Sequence, residues 1–273
     1  MDGETAAGTS ASELARRLAA GEVDALAVTD ACLEVIAARE GEVQAWQYLD
    51  PEHARAQARA LDAHRKAGKP IGPLHGLPVG IKDIIDVAGM PTEHGTPLCA
   101  GHRPRRDAWL TARLRAAGAV VMGKTVTTEL AVYSPDKTRN PHDPTRTPGG
   151  SSSGSAAAVA AGMVPLAVGT QTNGSVVRPA AFCGVVGYKP SFGWIPRTGV
   201  LEQSPTLDHI GVFARSVADA ALLTDVLVGH DPDDAATTPR PHPRLAATAA
   251  APPPVEPAVA VVRTARWGDG EPD

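Results

Sequence analysis

Aromatic residues are scarce: Phe, Trp and Tyr together make up 4% of the 273 residues, so small side chains must fill much of any core. Cysteine is scarcer still. Cys32, Cys99 and Cys183 are far apart and odd in number, which excludes a disulfide framework and a Cys-rich zinc site and suits a reducing cytoplasm. Excess positive charge is absent: 26 Lys and Arg against 30 Asp and Glu give a formal net charge of -4, without the basic footprint of a nucleic-acid binder. No apolar run is long enough to predict a transmembrane helix. The opening "MDGETAAGTSASELARR" lacks the charged and apolar regions of a secretory signal.

What is present alternates between helical and extended patterns. "ASELARRLAAG" and "DALAVTDACLEVIAARE" predict two amphipathic helices broken at Gly21, and "PEHARAQARALDAHRKAG" predicts a third with Pro51 in its first turn. A β-rich run, "GLPVGIKDIIDV", precedes helix "DAWLTARLRAAG" and strand "AVVMGKT". Strands at "VPLAVGT" and around "CGVVGYKPS", then helix "SVADAALLTDVLVG", complete an α/β pattern, a sheet with helical cover. From residue 231 to 256 the Pro- and Ala-rich composition predicts a linker, loop or disordered. "AVAVVRTARW" then reads as one more buried strand.

One motif is misleading. "GAVVMGKT" (Gly118 to Thr125) fits the phosphate-loop pattern, but that loop needs a strand, a curled Gly-rich turn and then a helix. Here the intervening Ala119, Val120, Val121 and Met122 are an apolar β run that follows a helix, so a core strand is expected.

Three other features carry chemistry. Lys82 sits among Ile81, Ile84 and Ile85. It is either exposed on a strand face, paired with Asp83, or desolvated and therefore able to act as a neutral base. "RTPGGSSSGSAAAVAAG" begins like a flexible linker but runs directly into an Ala-rich helix, which Ser153 or Ser155 can cap. In "GTQTNGSVVRPAAFCG" a strand enters a turn whose backbone N–H groups can converge on one point, making Ser175 a candidate nucleophile. No G-x-S-x-G elbow surrounds it. A histidine base would have to be borrowed from His94 or His209, without local warrant.

These features in this order resemble the amidase signature family: "PGGSSSGSAAAVAAG", then "GTQTNGSVVRPAAFCGVVGYKPS", with "GLPVGIKDIIDVAGMPTEHGTP" and "AGAVVMGKTVTTELA" upstream. The resemblance runs from about residue 10 to residue 230 and implies that family's α/β fold, a central mixed β-sheet covered by helices on both faces. It implies a Ser–cis-Ser–Lys triad in which Ser175 is acylated, Ser151 bridges across a cis bond from Gly150, and Lys82 is the base. It further implies an oxyanion hole at Thr172, Asn173, Gly174 and Ser175, with Ser152 supporting Lys82 by a hydrogen bond. Gly150 eases the cis bond sterically. No cofactor and no metal are implied. The expected partner is a small-molecule amide, with neither nucleic acid nor membrane, and a homodimer is the candidate assembly.

The sequence departs from the family pattern where Gln171 stands for Asp, Asn173 for Gly and Val177 for Arg, with Arg178 one position later. These changes bear on substrate recognition rather than on the triad. Family domains are longer, so residues 1–230 are expected to be the N-terminal part of the domain and 257–273 the start of a truncated C-terminal part. The leading expectation is an amidase. The glutaminase subunit of a tRNA-dependent amidotransferase is the first alternative, and an inactive fragment or binding protein the second.

Overall fold

The computed structural model describes residues 8–263, 265 and 267–269. Helix α1 (Ala11–Ala20) begins where the Ser10 hydroxyl accepts the Glu13 N–H at 3.2 Å, and it stops at Gly21, whose φ of +72° suits glycine. Helix α2 (Ala25–Val43) is capped through space: the Asp62 carboxylate accepts the N–H groups of Ala25 and Leu26. The break foreseen at Gly21 is present.

Strand β1 (Trp46–Leu49) and helix α3 (Pro51–Lys66) follow, then β2 (Pro78–Lys82), α4 (Trp109–Ala116) and β3 (Val120–Thr125). Next come α5 (Ser153–Ala160), β4 (Leu166–Gln171), α6 (Val177–Cys183), β5 (Val186–Tyr188), β6 (His209–Ala214), α7 (Val217–Leu227) and α8 (Leu245–Ala250).

The six strands form one mixed sheet in the order β1-β3-β2-β4-β6-β5. Its centre, β3-β2-β4, is parallel, and β1, β6 and β5 add antiparallel pairings on either side. Every residue of β2 and β3 is buried. Successive side chains point to opposite faces, so both faces of the sheet centre are covered. The core is built largely from Ala, Val, Ile and Leu, as the shortage of aromatics requires; Phe213 is the largest apolar side chain that is fully buried.

Small residues let α5 press against the sheet. A Cβ at Gly154 would stand 2.3 Å from Ala45 O and Val126 N, and one at Gly169 in β4 would stand 2.6 Å from Ser152 Oγ. Ala156, Ala157 and Ala158 are fully buried. Neither Ser153 nor Ser155 caps this helix. Ser155 Oγ instead bonds Thr125 Oγ1 and Val168 O, because the helix start is wedged against β3 and β4, which offer nearer partners.

The phosphate-loop pattern is indeed a strand, β3. The β-rich run around Lys82 is shorter than expected. Strand β2 ends at Lys82, and Ile84 and Ile85 turn into the core.

Two expectations near the C-terminal end need correction. Residues 231–240 are not a free linker: Asp231, Asp234 and Thr237 are buried, and Asp234 pairs with Arg197 at 3.2 Å. The Asp225 carboxylate caps α8 by accepting the N–H groups of Leu245 and Ala246. Pro, Asp and Thr read as loop in composition, yet here their polar groups close turns and find a guanidinium. Residues 257–263 form no strand. Val259, Val261 and Val262 are exposed, since neither β1 nor β5 at the sheet edges pairs with this segment. The rest of "AVAVVRTARW" includes Thr264 and Arg266, which lie outside the described residues. No helix among the described residues is long and apolar enough to cross a membrane.

Candidate active site

Lys82 ends β2 and Thr170 lies near the end of β4, so two adjacent parallel strands deliver both side chains to one place at their carboxyl ends. Lys82 is fully buried. Its Nζ donates to Ser151 Oγ and to Thr170 Oγ1, both at 2.8 Å. Burial pushes its pKa well below the ordinary lysine value of 10.5, opposed by the charge of Asp208. Among the described residues two hydroxyls and no carboxylate contact this amine, an arrangement that favours the neutral form.

Asp83, the neighbour, does not pair with Lys82. It faces the other way and binds Lys124 at 3.0 Å in a pair with 0% and 1% side-chain exposure. Lys124 also donates to Thr92 Oγ1 and Pro91 O. Burial drives both partners toward their neutral forms, and their mutual attraction opposes it. Removing one partner leaves a buried charge without its counterpart, at a cost of about 3–5 kcal/mol. Asp83→Ala is therefore expected to lower the melting temperature by roughly 10 °C, at about 2–4 °C per kcal/mol for a chain of this size, as calorimetry would show. An unchanged melting temperature would refute the pairing.

The peptide bond from Gly150 to Ser151 is cis. Arg178 holds the loop from behind, its Nε and Nη2 donating to Gly150 O at 3.0 and 2.8 Å. Ser152 does not bond Lys82 as expected. Its hydroxyl donates to Thr170 O at 3.1 Å and accepts the Thr170 N–H at 3.2 Å, because Gly169 leaves room for it against the β4 backbone. Ser152 thus supports Thr170, which in turn holds Lys82. The Ser152 N–H also points at Ser175 O, 3.4 Å away, joining the serine loop to the turn that follows β4.

That turn is shaped by side chains. Gln171 Oε1 accepts the N–H groups of Val176 and Val177 at 2.9 and 3.0 Å, so the residue that replaces the family's Asp is spent on the start of α6. Gly174 has φ +115°, a value that favours glycine. Within the described residues, the N–H groups of Thr172, Asn173, Gly174 and Ser175 carry no hydrogen bond. Ser175 is 4% exposed and opens onto a cleft of about 120 Å³ together with Thr172, Asn173, Tyr133, Arg178 and Gln203.

Neither candidate histidine reaches Ser175. His94 stacks on His102, and the His209 ring bonds Leu207 O. Sequence reasoning missed Thr170, although a hydroxyl at the end of the strand that enters the turn before Ser175 was a usable signal. It also missed Lys124, hidden inside the false phosphate motif.

A sequence model of the amidase family matches residues 27–273. The chain belongs to the amidase family. A glutamyl-tRNA(Gln) amidotransferase subunit from Chloroflexus aurantiacus is 48% identical over 228 residues, which are 81% of this chain and 47% of that one. The solved peptide amidase from Stenotrophomonas maltophilia is 41% identical with a TM-score of 0.81, covering 86% of this chain and 50% of that one. An amidase family protein from Bacillus anthracis gives 33% identity and a TM-score of 0.80, covering 86% and 49%. The chain spans about half the length of the curated relatives it matches. The six-stranded mixed sheet is thus part of an amidase fold.

Proposed function

We propose that the chain carries the acyl-transfer centre of an amidase, hydrolysing a small-molecule carboxylic amide in the cytoplasm. The observation that carries this reading is the buried Lys82 amine, 2.8 Å from Ser151 Oγ and, among the described residues, with no acidic partner. In this reading neutral Lys82 draws a proton from Ser151, which draws one from Ser175. Ser175 Oγ attacks the amide carbon, and the oxygen anion that forms is met by the unbonded N–H groups of Thr172 to Ser175. The proton returns through Ser151 to the leaving nitrogen as the C–N bond breaks. Water then attacks the ester, gives its proton back along the same path and releases the acid.

The test is ammonia release from a panel of aliphatic, aryl and peptide amides that includes glutamine. Turnover of panel amides in the absence of a partner supports the reading, and no turnover of any amide overturns it.

A second reading is the glutaminase role within a tRNA-dependent amidotransferase, favoured by the 48% identity to the Chloroflexus aurantiacus protein. Turnover confined to glutamine and dependent on a co-purifying partner protein would select it.

A further inference from the structure

Among the described residues nothing accepts the N–H groups of Thr172 to Ser175, so the shape of this turn depends on anchors outside it. The strongest is Asp208, the residue just before β6, whose first residue His209 is in register with Gln171 of β4. Asp208 Oδ1 accepts the Thr172 hydroxyl in a short hydrogen bond. Its Oδ2 accepts the N–H groups of Gln203 and Ser204 at 2.6 and 2.8 Å.

Further contacts complete the frame. Thr172 Oγ1 also lies 2.9 Å from Gln203 Oε1, and Gln203 Nε2 donates to Leu130 O at 2.8 Å. Asn173 Nδ2 donates to Tyr133 OH at 2.8 Å. One carboxylate therefore grips the donor turn with one oxygen and the loop across the cleft with the other. Hydrogen bonds to an ionised acceptor are roughly twice as strong as neutral ones. A hydroxyl has a single proton to give, so without the carboxylate Thr172 keeps only the weaker Gln203 acceptor.

We propose that Asp208 is a positioning residue of the acyl-transfer reaction, holding the N–H groups of Thr172 to Ser175 on the developing oxygen anion through the Thr172 hydroxyl. It contacts neither Ser175 Oγ nor Lys82 by hydrogen bond. The inference rests on Ser175 being the nucleophile. Its physical basis is that such donors accelerate the reaction only when already aimed before the charge appears.

The experiment pairs Asp208→Asn and Thr172→Val with Thr172→Ser, which keeps the hydroxyl. Steady-state amide hydrolysis is read beside hydrogen-exchange mass spectrometry of peptides spanning residues 170–178. Asp208→Asn and Thr172→Val are expected to lower kcat by roughly 10- to 100-fold with KM changed less than about threefold, at or below the roughly 10²- to 10³-fold loss that follows outright removal of one such donor. Thr172→Ser is expected to restore most of the rate. Exchange at the hydrogen-bonded amides flanking the turn, Thr170 and Val176 to Arg178, should rise in both low-activity variants while the global melting temperature holds.

Unchanged kcat and unchanged exchange, in a protein whose hydrolysis is abolished by Ser175→Ala, would overturn the inference and leave the amidase reading standing. If wild type hydrolyses no amide yet exchange rises in the variants, the amidase reading fails and the anchoring role survives. Should Asp208→Asn not fold, Thr172→Val decides alone.

Discussion

Replacing Ser175 by alanine is expected to lower ammonia release from the best amide substrate by at least about 10⁴-fold. Removing the nucleophile from a serine catalytic unit elsewhere costs up to about 10⁶-fold in kcat, and what remains comes from the oxyanion site and binding. The fold should survive. Ser175 is 4% exposed, its hydroxyl carries no hydrogen bond within the described residues, and its backbone carbonyl still accepts the Ser152 N–H. The measurement is initial rate against a matched circular dichroism melt. Activity within tenfold of wild type at an equal melting temperature would remove Ser175 from the reaction.

Lys82→Ala is expected to cost at least about 10³-fold, toward the upper end of what a positioned base contributes. The pH profile is more diagnostic. The base works when unprotonated, so kcat/KM should rise with pH as Lys82 loses its proton. Because burial lowers its pKa, the plateau should be reached well below pH 10.5, the ordinary value of lysine. A rising limb centred at or above that value would show an amine with ordinary solvation, at odds with a side chain that is fully buried. The residual rate of Lys82→Ala should lose this limb.

Much of this could be read from the sequence, and the reasons differ by element. Helices α1 to α3 announce themselves through Gly21 and Pro51, local signals that act within one turn. The serine loop and the turn at Ser175 were visible because glycines and hydroxyls concentrate there. Strand β6 was not foreseen, nor was β1, since both are fixed by pairing with distant partners: Trp46 with Thr125, and Gln171 with His209.

The same limit hid the site's support. That Asp83 turns away from Lys82 to meet Lys124 depends on β2 lying beside β3, and no local pattern reports it. Ser152 was expected on Lys82 because the family resemblance implies that bond. Its actual partner, the Thr170 backbone, is chosen by the space left at Gly169. The docking of residues 231–240 through Asp234 and Arg197 was likewise masked by a composition that reads as loop.

The burial of Lys82 has a thermodynamic side. Its pKa is lower in the folded chain than in the unfolded one, so between those two values the unfolded chain binds more protons and stability rises with pH. This contribution is fully present above 10.5 and is lost as pH falls through the folded value. Lys82→Met, which cannot take up a proton, removes that dependence, and subtracting its stability curve from that of wild type isolates it. Availability as a neutral amine beside Ser151 and reluctance to stay folded while protonated are therefore a single property. The conditions that silence the base also loosen the sheet that carries it.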